Sequence, residues 1–283
     1  MEDLAQPNRK AQWFADARAL FAQPGWEQFR GILYFHSNSN NSDWPLCNWW
    51  VDTSPQALAA FKAMGADPLY GGTGEPPPSD DEVLFVVANP SALSSGEIAV
   101  RTRLSAAGYT VTLADDSTVT AADAATASAV LVAASVSTSL GSRLRDVAVP
   151  VMMWKPWLYD DMRMTGSTAN VDYGSVSTAT VTVTAPAHPL AAGLTGAVTA
   201  YASAQTVAFG VPASGASTVA TVAGRLGLFV YESGAPMVGG TLAPACRLGF
   251  PAGTTSPTAF TANWGALFDA AVRYVVGGCA ASG

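Results

Sequence analysis

From Glu82 onward the apolar positions arrive in short continuous runs separated by stretches at helical spacing. Glu82-Val-Leu-Phe-Val-Val-Ala88 is the first such run and reads as a strand buried on both faces. Asn89-Pro90 turns the chain, Ser94 and Ser95 supply a cap, and a helix is predicted through Arg103 and Leu104 to Ala107-Gly108. Tyr109–Leu113 reads as the second strand with Asp115-Asp116 at its end, Ala121–Thr126 as a short helix, and Ala129–Ala133 as the third strand. Leu140–Asp146 is read as a helix and Pro150–Trp154 as the fourth strand. The alternation predicts a parallel sheet with right-handed crossovers.

Past Trp154 the pattern changes to Thr/Val-rich runs at Ala179–Thr184, Thr218–Val222, Leu226–Tyr231 and Arg247–Phe250, which suit an antiparallel extension of the sheet or an excursion on its edge. Trp264–Val276 closes the domain as an amphipathic helix carrying Ala266, Leu267, Ala270, Ala271 and Tyr274 on one face. The outline is flavodoxin-like. Ahead of it, Lys10–Phe21 has Trp13, Phe14, Ala17, Leu20 and Phe21 at helical spacing, broken by Gln23-Pro24-Gly25. Gly31–Phe35 is a short apolar run, and Thr53-Ser54-Pro55 caps a helix over Gln56–Met64 that stops at Gly65. Gly71–Ser79 holds three glycines and three consecutive prolines and reads as a linker. The expected division is residues 1–70, a linker over 71–81, and a domain over 82–279.

The wording of the first segment, Lys10-Ala-Gln-Trp13, Tyr34-Phe35 and Cys47-Asn-Trp-Trp-Val-Asp52 through Phe61 to Ala66-Asp67-Pro68, resembles the C-terminal end of secreted actinobacterial glycoside hydrolases of the family 26 type. That resemblance implies the last helix, strand and helix of a (β/α)8 barrel, with His36, Asn38 and Trp44 at a sugar-contacting rim. Such hydrolases need two carboxylates across the scissile bond, and the resemblance puts both on strands ahead of this chain. The chain is therefore read as a barrel remnant or as the C-terminal piece of a longer hydrolase. In the second segment, Val83–Asn89, Leu104-Ser-Ala-Ala-Gly-Tyr-Thr-Val, Pro150-Val, His188-Pro-Leu-Ala-Ala-Gly-Leu194 and Leu267-Phe-Asp-Ala-Ala-Val resemble the trehalose-utilisation-type branch of the class I glutamine-amidotransferase-like fold. The pairing of the two resemblances implies a module attached to a carbohydrate-active protein.

Composition narrows the partners. Charged residues make up 12% of the chain and the net charge is -7, which argues against a nucleic-acid partner. No apolar run approaches a membrane span. The Ser/Thr/Ala-rich surface with only Lys10, Lys62 and Lys155 as lysines suits an exported protein, although Met1-Glu-Asp-Leu-Ala-Gln-Pro is no signal peptide. The three cysteines, Cys47, Cys246 and Cys279, are compatible with one disulfide in an oxidising compartment or with three unrelated small residues. No metal or other cofactor is implied by their spacing. The first segment has too little material to cover a parallel strand, so Trp13, Phe14, Ile32, Leu33, Phe35 and Phe61 are expected to dock on the second domain or to dimerise.

Candidate chemistry is sparse. Amidotransferases of the resembled fold attack with a cysteine activated by histidine. The matching loop here, Ala134-Ser135-Val-Ser137-Thr-Ser139-Leu140, has no cysteine, and its serines read as hydroxyls capping the helix at Leu140, with a pair between one of them and His188, the domain's sole histidine, as the lesser alternative. Glu232 follows a strand and is a third acid/base candidate. Asn89, Ser91, Asp115, Asp116, Ser135, Ser137, Lys155 and Trp157 are expected to converge at the C-terminal edge of the sheet, where open α/β folds bind ligands. Neutral polar groups beside an aromatic plate suit a sugar. The activity expected is thus a non-catalytic, carbohydrate-binding accessory role, with a sugar-directed hydrolase or isomerase as the alternative.

Overall fold

The computed structural model describes residues 8–21, 23, 38–39, 47–48, 54–65 and 81–279. The chain divides into two compact units, Met1–Pro78 and Ser79–Gly283.

In the first unit, helices α1 (Arg9–Phe21) and α2 (Pro55–Gly65) pack together. Ser54 accepts the Ala57 N–H at 3.1 Å and starts α2. Phe14 and Phe61 meet at 5.2 Å between ring centroids, with Met64 buried beside them. Phe14 is buried, whereas Trp13 and Leu20 of the same predicted stripe are exposed, so the buried face of α1 is narrower than its apolar spacing suggests. Between the helices, β1 (Asn38–Ser39) and β2 (Cys47–Asn48) pair antiparallel. The expected strand at Gly31–Phe35 and its docking residues Ile32, Leu33 and Phe35 lie outside the described residues.

The second unit is built on a nine-stranded mixed sheet. Its strands are β3 (Glu82–Val87), β4 (Thr110–Asp115), β5 (Ala129–Val132), β6 (Val151–Met153), β8 (Thr180–Val183), β9 (Gly196–Thr199), β11 (Ser217–Val222), β12 (Arg225–Tyr231) and β13 (Arg247–Gly249). Their spatial order is β4-β3-β5-β6-β13-β12-β11-β8-β9. The first five in that order are mutually parallel, and β12, β11, β8 and β9 add antiparallel. The run at Arg247–Phe250 therefore belongs to the parallel half, correcting its grouping with the antiparallel extension: Arg247 pairs with Val151 on one side and Tyr231 on the other.

Alternation along β12 sorts the two faces. Phe229 and Tyr231 point to one side, where Phe229 meets Tyr159 edge-on at 5.6 Å and the Tyr231 hydroxyl donates to the Met164 carbonyl at 2.8 Å. This side is covered by a separate two-stranded ribbon, β7 (Tyr173–Thr178) with β10 (Gln205–Gly210), which no periodic signal announced for residues 173–178 or 205–210. The other side carries α3 (Ser95–Ala106) and α5 (Ala262–Val276), joined by a two-pronged Arg103–Asp269 ion pair at 2.6 and 2.7 Å. Gly265 makes room for it, since a Cβ there would stand 2.5 Å from the Arg103 guanidinium. Helix α5 buries Trp264, Leu267, Phe268 and Ala271 in the main core. The connection after β5 is not the predicted helix over Leu140–Asp146. It is a 3-10 turn at Thr138–Leu140 followed by turns, because Gly141 enters positive φ and ends it.

Cys246, at the head of β13, is disulfide-bonded to Cys279, just past α5, with 6.2 Å between their Cα atoms. Replacing both by serine is expected to lower the unfolding free energy by about 3–4 kcal/mol, the loop-closure value for this span, with 33 residues separating the pair. A urea titration under non-reducing conditions reads this as a lowered midpoint, with a slope that rises as the uncross-linked denatured state expands. An unmoved midpoint would show that the bond contributes nothing.

Candidate functional site

The parallel half of the sheet runs outward from β3 in both directions, so the loops after β3 and β5 leave the C-terminal edge on diverging paths. Such a divergence opens a crevice. Here it is a small recess of about 10 Å³, room for a single water, lined by Glu97, Ala134, Ser135, Trp154, Gly253 and Thr254 among others.

Local sequence sets its wall. Ser94 and Glu97 form a reciprocal capping box at the start of α3: the Ser94 hydroxyl accepts the Glu97 N–H, and Glu97 Oε2 accepts the Ser94 N–H at 2.6 Å. The other oxygen, Oε1, accepts the Ser135 hydroxyl proton at 2.5 Å. Ser135 Oγ in turn accepts the Ala88 N–H at 3.3 Å. One buried carboxylate, 6% exposed, thus joins the first turn of α3 to the loop after β5, while the hydroxyl joins that loop to the end of β3. Gly96 lets the Thr254 loop close over the helix start, since a Cβ there would stand 2.0 Å from the Thr254 carbonyl.

Next to the crevice lies a second polar group. Asp116 is buried and accepts the Ser137 N–H. Ser137 Oγ accepts from the Ser139 N–H at 3.2 Å and its hydroxyl at 3.0 Å, capping the 3-10 turn. Arg143 holds the underlying loops by donating to the carbonyls of Asp116, Ser117, Val119 and Leu140. Lys155 is half-buried and donates to the Ala134 carbonyl at 3.0 Å. Burial pushes its ammonium pKa down, and the Asp116 carboxylate opposes that shift. The turn Pro156–Leu158 packs against Thr138–Leu140, with Trp157 42% exposed, whereas Trp154 is buried in the core.

The predicted convergence is partial. Asp116, Ser135, Ser137, Lys155 and Trp157 meet around the loop after β5. Asn89 and Asp115 are engaged in their own turns: Asn89 accepts the Ser91 N–H at 2.9 Å, and Asp115 accepts the N–H and hydroxyl of Ser117 at 2.8 and 2.6 Å. The Ser117 bonds hold the Asp115 carboxyl pKa low. Asp115 is thus tied into its own turn while Asp116 bonds the loop after β5.

His188 and Glu232 sit elsewhere. Glu232 follows Tyr231, which pairs with Arg247, itself paired with the first residue of β6. That is the N-terminal edge of the parallel strands, opposite Ser135. The Tyr274 hydroxyl donates to Glu232 Oε1, and the His188 ring lies on Tyr274 at 5.6 Å. The candidate Ser–His pair is not brought together, because the serine loop and His188 emerge from opposite ends of the sheet. His36 and Trp44 lie outside the described residues. Asn38 is on β1, its backbone paired with Asn48. Among the described residues no cluster of histidine, cysteine and carboxylate side chains could hold a metal ion, and no helix is long and apolar enough to cross a membrane. Sequence reasoning missed Glu97 as a site residue, although the Ser94-x-x-Glu97 spacing is its signal.

No protein-family model and no curated protein matches the chain. A solved structure of a cytoplasmic protein from Salmonella typhimurium is similar, with a TM-score of 0.50 and 9% identity over 68% of this chain and 98% of that one. At that identity the likeness concerns the fold alone. The class defined is α/β, with a large mixed central sheet.

Removing the Ser135 hydroxyl takes a partner from a buried carboxylate. Ser135→Ala is therefore expected to cost about 1–3 kcal/mol of stability, measured by urea unfolding. A variant as stable as the native chain would show that the Ser135–Glu97 bond contributes no stability.

Proposed function

We propose that this chain is a non-catalytic accessory protein of a secreted carbohydrate-active system, whose second unit binds a neutral sugar at the C-terminal edge of its sheet. The carrying observation is Trp157, exposed on the turn Pro156–Leu158, which packs against the hydroxyl-bearing turn Thr138–Leu140. An exposed indole offers a flat apolar face for a pyranose ring, and hydroxyls, ammonium and carbonyls at its border suit hydroxyl groups. Asp116 and Glu97 close by make the edge unfavourable for an anion such as phosphate.

The strand order β4-β3-β5-β6-β13 supports reading this half as flavodoxin-like, in keeping with the amidotransferase-like resemblance. The placement of Ser135 and His188 at opposite edges supports a non-catalytic role. The Cys246–Cys279 bond supports an oxidising, extracellular compartment. The family 26 resemblance supplies the carbohydrate context of residues 1–70.

One observation favours a second reading, a sugar-directed hydrolase: a serine hydroxyl oriented by a carboxylate within a crevice, Ser135 on Glu97. The two readings separate in one experiment. Soluble β-mannan or xylan retards the native chain in affinity electrophoresis, Trp157→Ala abolishes the retardation, and no reducing ends appear above a heat-killed control. Turnover that Ser135→Ala removes would establish the hydrolase instead, and equal mobility of native chain and variant would remove the binding reading.

A further inference from the structure

At the N-terminal edge of the parallel strands, a histidine holds a turn together in a way that depends on its charge. His188 caps the 3-10 turn Pro189–Ala191 with its ring: Nδ1 accepts the Leu190 N–H at 3.2 Å. An imidazole nitrogen accepts only when bare, so this bond requires the neutral ring with its proton on Nε2. The turn is anchored, with Leu190 and Ala191 fully buried and packed on α5 and β11. The chain leaves it through Ala192 and Gly193, both at positive φ, 52° and 73°.

The groups facing His188 come from two elements. Tyr274 of α5 lies under the ring at an interplanar angle of 56°. Glu232, past β12, accepts the Tyr274 hydroxyl proton. Strand β11, the other element against the turn, carries only Ser, Thr, Val and Ala and adds no ionisable group.

We propose that His188 is an acid-released latch: protonation at Nδ1 removes the cap of Leu190, frees the turn over 186–194 from α5, and transfers the Glu232 carboxylate from the Tyr274 hydroxyl to the imidazolium. The one bond formed is Nδ1–H, and its proton comes from solvent hydronium, leaving water. The direction of the linkage follows from the neutral ring being the one the fold binds. Burial lowers the His188 pKa, and the Glu232 charge opposes that shift. The unfolded chain takes up this proton at an ordinary histidine pKa of about 6.5. The latch is therefore fully closed above that pH and weakens as pH falls below it through the lower folded value.

Hydrogen exchange on the full chain tests it, with protection corrected for intrinsic rates at pH 8 and pH 5. The Ala191, Ala192 and Leu194 amides, bonded to His188, Pro189 and Ala191 carbonyls, are expected to lose at least about tenfold protection at pH 5, while those of β3 and β5 keep theirs. In His188→Asn the amide oxygen caps at every pH, so protection stays constant. In Glu232→Gln the imidazolium loses its counter-charge, so the midpoint of the loss moves to lower pH. Protection in the native chain that does not change between pH 8 and pH 5 would overturn the proposal. So would an equal loss in His188→Asn, or a midpoint unmoved by Glu232→Gln.

Discussion

The crevice at the C-terminal edge depends on one buried carboxylate. A helix start leaves N–H groups without partners, and a strand end leaves a loop that must be held. Glu97 meets both needs, accepting the Ser94 N–H with one oxygen and the Ser135 hydroxyl with the other. A burial this complete is tolerated because each oxygen is matched. The consequence is that α3 and the loop after β5 are fixed relative to one another across 38 residues of chain. The Asp116, Lys155 and Trp157 groups are then arranged along that loop.

A second constraint separates chemistry that the amino-acid order alone would allow to combine. Ser135, His188 and Glu232 all occur in the second unit, yet the sheet delivers Ser135 to one end and His188 with Glu232 to the other. Ser135 follows a strand that runs one way, and Glu232 follows one that runs the other. The buried Arg247 guanidinium reinforces the N-terminal edge by donating to the carbonyls of Arg145, Val147, Val149, Ala245 and Cys246. Burial lowers its pKa to about 10, still well above neutral pH, so the charge persists at physiological pH. The two edges are thus independent. One presents an aromatic plate and hydroxyls, and the other holds a neutral histidine under backbone control.

The parallel half of the sheet was legible because β3 and β5 are unbroken apolar runs between capping and turn residues. Helix α5 was legible from its stripe of Leu267, Ala270, Ala271 and Tyr274. The ribbon of β7 and β10 was not, since Tyr173–Thr178 is mostly small polar residues, and its buried Gly174 lies against the Phe209 ring of the partner strand, a contact that no local pattern encodes. Nor could local pattern place Arg247–Gly249 in the parallel half, because strand direction is decided by where the chain returns. Of the two tryptophans in one short stretch, Trp154 is core and Trp157 surface. That split follows from the turn at Pro156 and not from composition. Glu97 was missed although the Ser94-x-x-Glu97 spacing marks a capping box, and its second bond, to Ser135, is tertiary and invisible to spacing.

The central claim, that the loop after β5 with Trp157 is a sugar-binding surface and not a catalytic centre, is tested most directly by mapping where a sugar lands. Titrating isotope-labelled chain with a neutral oligosaccharide should shift the backbone amide resonances of residues 134–139 and 155–158 and leave those around His188 and Glu232 in place. Shifts confined to the His188 edge, or none at saturating sugar, would contradict it.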